Sequence, residues 1–118
     1  MEKHVLVIED DDEIRNVMQL ILTGEHYFVL AKPAMMTLDS TDTLPDLIIL
    51  DHYLRGQTGH DICLKLKSDK RTSSIPIILM SAANNLSDTA ISCHADAYLC
   101  KPFDIDDLAS CVKLLLPA

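Results

Sequence analysis

The 118-residue chain is poor in aromatic and in basic residues, and each shortage limits its structure or function. Tryptophan is absent and only 4% of the residues are aromatic, although 48% are hydrophobic, so aliphatic side chains must fill the core. Ten basic residues stand against eighteen acidic ones, which gives a net charge of −8. Binding to a nucleic-acid backbone needs Lys and Arg to displace counterions, so we expect no direct nucleic-acid binding by this domain. Binding to an anionic membrane surface is not expected for the same reason.

Membrane spans, secretion signals and cysteine pairs are also missing. No apolar run approaches the length of a membrane span, and the N-terminus lacks the charged-then-apolar-then-small pattern of a signal peptide. The cysteines include no C-x-x-C pair, so neither a zinc site nor a redox dithiol is expected. We interpret Cys63, Cys93, Cys100 and Cys111 as reduced thiols of a cytoplasmic protein.

Short apolar runs, separated by amphipathic stretches, give the order of elements. The runs "YFVLA", "DLIIL" and "PIILM" are continuous rather than alternating, which is typical of strands buried on both faces of a parallel sheet. Between the runs, apolar residues recur at the spacing of one helix face. Alternating strands and helices predict an α/β domain with a parallel sheet. The predicted strands are residues 4–8, 27–31, 46–50, 76–80 and 97–100, and the predicted helices are residues 12–24, 60–69 and 106–116.

The sequence also indicates where the first helix begins and ends and which stretches between the elements are loops. We expect Asp11 or Asp12 to cap the first helix and Gly24 to be its C-cap. Residues 30–44 contain a proline and four hydroxyl residues, so any helix there must be short. Residues 68–76 are polar and predict a loop.

The candidate functional residues stand at the carboxyl ends of the predicted strands. Glu9 and Asp10 follow the first strand and Asp51 follows the third, while Ser81 and Lys101 follow the fourth and fifth. A doubly wound parallel sheet binds its ligands outside the carboxyl ends of its strands. We therefore expect three carboxylates, a hydroxyl and an ammonium group to converge at one edge of the sheet.

The chemistry of this set points to phosphoryl transfer. Three crowded carboxylates are costly without a cation, and Mg²⁺ prefers oxygen ligands. A carboxylate can attack phosphorus, and Asp51 is the candidate nucleophile because it stands alone at the tip of its strand. Glu9 and Asp10 are the candidate metal pair, while Lys101 and Ser81 would stabilise the transferring phosphoryl group. An acidic run can also be only the solvated start of a helix, and we prefer this interpretation for Asp11, Asp12 and Glu13.

Four motifs occur in order along the chain, "VLVIEDD", "PDLIILDHYLRGQTG", "IPIILMSA" and "ADAYLCKPF". Together they resemble the acidic-pair, phosphoacceptor, hydroxyl and Lys-Pro motifs of the receiver domain of two-component response regulators. The resemblance covers essentially the whole chain, and we take residues 1–118 as a single receiver domain. It implies a flavodoxin-like, doubly wound sheet of five parallel strands in the order 2-1-3-4-5, with helices on both faces.

The resemblance also implies a metal-dependent phosphorylation. Asp51 would accept a phosphoryl group from a sensor histidine kinase or a histidine phosphotransfer protein. Mg²⁺, or Mn²⁺ in its place, would be bound through Glu9, Asp10, Asp51 and the backbone carbonyl of Tyr53.

The conformational response follows from the same resemblance. Ser81 and Tyr98 would form the switch pair, with Ser81 moving toward the phosphoryl group and Tyr98 moving inward. The face built from the family's fourth helix, fifth strand and fifth helix would then change shape and control an output partner, which the sequence does not identify. A cis Lys101–Pro102 bond is implied as well, and formation of a homodimer on phosphorylation is left open.

Several residues depart from the pattern of the family. Arg55 stands where the family usually has Pro, and His94 occupies a common Gly position before the last strand. Tyr53 is bulkier than the residues often found two positions after the phosphoacceptor, and Ala83 is small two positions after Ser81. A phenol ring beside the phosphoryl group would hinder the attacking water, so we predict slow self-dephosphorylation.

Three other functions were weighed against this switch. A phosphatase of the haloacid-dehalogenase type also uses an Asp nucleophile and Mg²⁺, but its second Asp is replaced here by Tyr53. Flavin binding lacks a phosphate-cradling loop after the first strand. A receiver-like docking domain without phosphorylation is disfavoured by the complete acidic set. We therefore expect a signalling domain rather than an enzyme, and whether it stands alone or belongs to a longer regulator or hybrid kinase stays open.

Overall fold

Strands and helices alternate along the chain, as the apolar pattern predicts. The computed structural model describes residues 2–35, 43–82 and 84–116. The strands are β1 (His4–Ile8), β2 (Phe28–Lys32), β3 (Leu47–Asp51), β4 (Tyr53–Leu54), β5 (Gln57–Thr58), β6 (Ile77–Ser81) and β7 (Ala97–Cys100), and the helices are α1 (Asp12–Gly24), α2 (Gly59–Ser68), α3 (Leu86–Ser92) and α4 (Ile105–Leu115).

Five of the strands form one parallel sheet in the order β2-β1-β3-β6-β7. Because β6 and β7 are its fourth and fifth strands along the chain, the predicted flavodoxin-like order 2-1-3-4-5 is confirmed. The order reverses at β1, which lies between β2 and β3. Strands β4 and β5 form a separate antiparallel ribbon directly after β3. This ribbon was not predicted, since two-residue strands carry no apolar pattern.

The sheet separates two hydrophobic clusters. Leu6 and Ile8 of β1 point into a cluster shared with α2 and α3, whereas Val5 and Val7 point into a cluster shared with α1 and α4. Every residue of β3 and β6 is buried, which confirms that these two strands are covered on both faces.

The second strand differs from that expectation. Phe28 and Leu30 of β2 are 53% and 50% exposed. Its apolar run resembles those of β3 and β6, but β2 is an edge strand and only one of its faces packs against the core, through the half-buried Val29 and Ala31.

Helix α1 has the predicted bounds but not the predicted C-cap. Asp11 is the N-cap, and its side chain accepts a hydrogen bond from the backbone N–H of Ile14 at 3.0 Å. Gly24 lies inside the helix and Glu25 is the C-cap, so the expectation for Gly24 was wrong. The left-handed residue after the helix is His26, with φ of 71°. The left-handed turn that follows the helix is therefore made by His26, two positions after Gly24.

The remaining elements agree with the sequence in most places. Helices α2 and α4 begin and end one residue earlier than predicted, and the predicted loop at 68–76 connects α2 to β6. Helix α3 was missed because it has seven residues and buries only Leu86 and Ala90. The uncertain stretch 30–44 begins within β2, and its residues 36–42 lie outside the described residues, as does Ala83. Among the described residues, no helix is long and apolar enough to cross a lipid bilayer.

Candidate functional site

The predicted site residues converge at the carboxyl edge of the sheet. The side chains of Glu9, Asp51 and Ser81 are buried, with 0%, 4% and 1% of each residue exposed, and Asp10 is half-buried. One carboxylate oxygen from each of Glu9, Asp10 and Asp51 lies within 4.8 Å of the other two. Lys101 reaches the same cluster from the end of β7. The structure therefore brings together the groups that the strand ends predict, although their roles stay predictions.

Glu9 is held by hydrogen bonds through both its backbone and its side chain. Its backbone N–H donates to the carbonyl of Lys32 at 3.0 Å, and its own carbonyl accepts from Nη1 of Arg15 at 2.8 Å. In the side chain, Oε2 accepts from the backbone N–H of Asp11 at 3.3 Å, and Oε1 accepts from Nζ of Lys101 at 2.5 Å. A buried carboxylate is tolerated when it is hydrogen-bonded and paired in this way.

Lys101 bridges two of the three carboxylates. Its Nζ lies 2.5 Å from Oε1 of Glu9 and 3.4 Å from Oδ1 of Asp51. Burial lowers the pKa of Lys101, but the hydrogen bond to Glu9 and the charge of Asp51 outweigh it, so the pKa is raised and the ammonium stays charged. The backbone N–H of Lys101 donates to the carbonyl of Ser81 at 3.0 Å. The Lys101–Pro102 bond is cis, as the resemblance implies.

Asp51 is the group most affected by the crowding. Burial and then the charge of Glu9 raise the pKa of Asp51 from 3.8 to about 7, while Lys101 acts in the opposite direction. One ammonium group therefore does not neutralise this acidic cluster. Hard divalent cations prefer oxygen donors and remove such repulsion, so Glu9, Asp10 and Asp51 fit Mg²⁺.

The chain folds closely over the end of β3. The backbone N–H of His52 donates to the carbonyl of Met80 at 2.8 Å, and the N–H of Gly59 donates to the carbonyl of His52 at 2.7 Å. A Cβ on Gly59 would lie 2.5 Å from the carbonyl oxygen of Asp51 and 2.8 Å from Cα of His52. Glycine is therefore required at this position, which sequence reasoning missed. The only local signal was a glycine at the start of a helix, which is not specific.

Two residues that depart from the family pattern, His94 and Arg55, lie in or beside left-handed backbone conformations. His94 has φ of 64°, a left-handed conformation that glycine adopts without strain, so the usual glycine at this position has a physical reason. Arg55 lies in the turn between β4 and β5, beside Gly56 with φ of 74°.

Both tyrosines of interest face solvent. Tyr53 is 62% exposed, and its ring contacts the ring of His52 edge-on, with centroids 4.7 Å apart. Tyr98 is 48% exposed and pairs with Leu79 in the register of β6 and β7. Ser81 is buried at the end of β6. The switch role of Ser81 and Tyr98 and the metal role of the Tyr53 carbonyl stay predictions.

An open groove runs beside the acidic cluster. It lies between α1 and the loop that follows β7, with a volume of about 520 Å³. Lys101 borders both the groove and the carboxylates, so the groove reaches the lysine of the site. It is lined by Glu13, Ile14, Val17, Ala82, Lys101, Pro102 and Phe103.

Comparison with known proteins agrees with this geometry. The DNA-binding response regulator MtrA of Mycolicibacterium smegmatis is 29% identical over 120 residues, which cover 98% of this chain and 51% of that protein. The chain thus spans about half the length of the curated relatives it matches.

Solved structures give the same result for the fold. The signal receiver domain of a signal transduction histidine kinase from Syntrophus aciditrophicus superimposes with a TM-score of 0.82 at 28% identity, over 97% of this chain and 89% of that one. The receiver domain of a sensor histidine kinase from Pseudomonas aeruginosa has a TM-score of 0.82 at 20% identity, over the whole of both chains. Its structure contains a magnesium ion coordinated in the active-site cleft. The sequence model of the response regulator receiver domain matches residues 5–113, and the chain therefore belongs to the family of response regulator receiver domains.

Proposed function

We propose that the chain is a phosphorylation switch in which Asp51 accepts a phosphoryl group from a phosphohistidine of a partner protein. Membership of the receiver family makes it a signalling domain rather than a dedicated enzyme. The observation that carries the proposal is the position of the Asp51 carboxylate, which is buried, lies 3.4 Å from Lys101 and is clustered with the acidic pair formed by Glu9 and Asp10. The partner would be a sensor histidine kinase or a histidine phosphotransfer protein.

A divalent cation completes the site in this proposal. Glu9, Asp10 and Asp51 would hold Mg²⁺, or Mn²⁺, together with the backbone carbonyl of Tyr53. When bound, the cation supplies positive charge to the acidic cluster and to the oxygens of the phosphoryl group. The magnesium ion in the receiver domain from Pseudomonas aeruginosa supports this assignment.

The chain's own residues would carry out the transfer as follows. An oxygen of Asp51 attacks phosphorus, so a P–O bond forms while the P–N bond to the donor histidine breaks and the imidazole leaves with its proton. The ammonium of Lys101, 3.4 Å from Oδ1 of Asp51, stabilises the charge on the phosphoryl oxygens. The hydroxyl of Ser81 donates a further hydrogen bond to the same oxygens.

The response would pass to the face formed by α3, β7 and α4. Ser81 would move toward the phosphoryl group, and the exposed ring of Tyr98 would turn inward. Such a rearrangement is a population shift between two packings, biased by a local change of charge. An output partner that binds one form of this face would then respond to phosphorylation.

The groove beside α1 suits the approach of the phosphodonor protein. It is open to solvent and reaches Lys101, and on the backbone of Asp51 the chain packs closely at Gly59. A helix carrying the donor histidine could therefore lie along α1.

Mass spectrometry of the intact protein tests the proposal. Incubation with acetyl phosphate and Mg²⁺ should add one phosphoryl group, and EDTA or the substitution Asp51→Asn should prevent the addition. Asp61→Asn is the matched control, because Asp61 is an exposed carboxylate on α2 and its loss should leave the uptake unchanged. Lack of uptake by the wild-type protein, or uptake that persists in Asp51→Asn, would contradict the proposal.

A further inference from the structure

The guanidinium of Arg15 contacts the backbone of the acidic pair formed by Glu9 and Asp10 rather than their carboxylates. Nη1 donates to the backbone carbonyl of Glu9 at 2.8 Å, and Nη2 donates to Oδ1 of Asp12 at 2.5 Å. The Arg15 side chain is 17% exposed, whereas its partner Asp12 is 82% exposed. Within the described part of the chain, Asp12 is the one carboxylate paired with Arg15. The guanidinium therefore acts on the site through the backbone.

The hydrogen bond to Glu9 fixes the peptide unit that precedes Asp10. Because a peptide unit is planar, holding its carbonyl oxygen also holds the N–H and the Cα of Asp10. On the other side of Asp10, Asp11 is fixed as the N-cap of α1. The backbone of Asp10 is thus held from both directions, and this sets the direction of its Cα–Cβ bond.

From this geometry we propose that Arg15 is a positioning residue that aims the Asp10 carboxylate at the divalent cation, an inference that rests on the proposed function. The fork of the guanidinium suits the task because it binds the Glu9 carbonyl and Asp12 at once. Lysine carries the same charge but cannot reproduce the fork.

A purely electrostatic role predicts the opposite sign. A positive guanidinium near a cation site repels the cation, so removing its charge would tighten Mg²⁺ binding. Removing a partner that orients a metal ligand instead weakens binding, by about 10- to 100-fold in metal sites. The direction of the change therefore separates the two roles.

Calorimetric titration of the unphosphorylated protein with Mg²⁺ measures the dissociation constant directly. We expect Arg15→Gln to raise it by about tenfold or more, and Arg15→Lys to raise it in the same direction by a smaller factor. Lys65→Gln is the control for loss of one positive charge, since Lys65 is exposed on α2, and it should leave the constant unchanged. Urea unfolding in EDTA, followed by circular dichroism, measures the effect of each substitution on stability without metal.

The outcomes separate this inference from the proposed function. If Arg15→Gln lowers stability in EDTA but leaves the dissociation constant for Mg²⁺ unchanged, Arg15 is only structural. If Arg15→Gln lowers the dissociation constant, the role of Arg15 is electrostatic. Either result overturns the inference. If Arg15→Gln fails to fold in EDTA, Arg15→Lys carries the same test, because it retains the charge. If the wild type binds Mg²⁺, Asp10→Asn loses this binding and the Arg15 variants keep the wild-type dissociation constant, this inference alone is overturned. Absence of Mg²⁺ binding by the wild type overturns the proposed function and this inference with it.

Discussion

Replacing Gly59 by alanine would drive a methyl group into the backbone of Asp51, the proposed phosphoacceptor. The added Cβ would lie 2.5 Å from the carbonyl oxygen of Asp51, 2.8 Å from Cα of His52 and 2.9 Å from Cδ1 of Leu79. Ordinary van der Waals contact begins at 3.4 Å. Two of the three atoms belong to the backbone, so rotation of a side chain cannot relieve the overlap.

The size of the effect follows from two opposing contributions. Overpacking costs about 1–3 kcal/mol, and backbone overlap places Gly59→Ala near the upper end. Alanine gains about 0.5–1 kcal/mol over glycine in a helix, which partly offsets this cost. We therefore expect the free energy of unfolding to fall by about 2 kcal/mol. Phosphoryl uptake at Asp51 should also slow, because the relieving movement displaces the end of β3.

Gly24→Ala is the matched control, since a Cβ there meets no atom within 4 Å. Gly24 lies within α1, so this substitution should raise the free energy of unfolding by about 0.5–1 kcal/mol. Urea unfolding followed by circular dichroism suits a chain without tryptophan. The reasoning would be refuted if Gly59→Ala were as stable as the wild type, or if both alanine variants changed stability in the same direction.

Four further substitutions or conditions test other parts of the structure. Tyr53→Asn should shorten the lifetime of the phosphorylated protein, because the phenol is predicted to hinder the attacking water, and an equal or longer lifetime would reject the prediction. Without metal, burial and then the charge of Glu9 raise the pKa of Asp51 from 3.8 to about 7. The protonated carboxyl group therefore contributes stability below pH 4, and this stability is lost as the pH rises through about 7. Asp51→Asn should therefore stabilise the metal-free protein at pH 8 more than at pH 4, and urea midpoints that shift equally at both would count against it. Burial, and then contact with a second thiol, raises the pKa of Cys63 to about 12, so a disulfide reagent should modify the exposed Cys100 first and Cys63 only on unfolding. His94→Gly should raise the free energy of unfolding by about 1 kcal/mol, because φ of 64° is costly for a residue with a Cβ, and a melting temperature that falls would show that the imidazole has a compensating role.

The strands and their convergence could be predicted because they depend on local pattern and simple topology. Continuous apolar runs such as "DLIIL" and "PIILM" are typical of strands covered by helices on both faces, and the strands β3 and β6 that they form are fully buried. Once the strands are parallel, residues at the carboxyl end of each strand must share an edge, which places Asp51 beside the acids that follow β1. Neither step required knowledge of a distant contact.

The features that the sequence did not reveal depend on contacts between distant segments. Phe28 belongs to an apolar run like the others, yet it is half exposed because β2 lies at the edge of the sheet. The requirement for Gly59 arises only when the ribbon folds back over Asp51. Arg15 resembles a surface partner of Asp12 three positions away, and its contact with the carbonyl of Glu9 appears only in the folded chain.

The balance of charge at the sheet edge explains how one site can serve both stability and signalling. Lys101 pairs closely with Oε1 of Glu9 but lies 3.4 Å from Asp51, so the third strand ends on a carboxyl group whose pKa reaches about 7. Any ligand that adds positive charge there, or covalently consumes the carboxylate, changes the forces on Lys101. The same residue is hydrogen-bonded through its backbone N–H to the carbonyl of Ser81, which joins the ends of β6 and β7. If Asp51 is phosphorylated as proposed, the change of charge would be coupled, through a single lysine, to the strand that carries Tyr98.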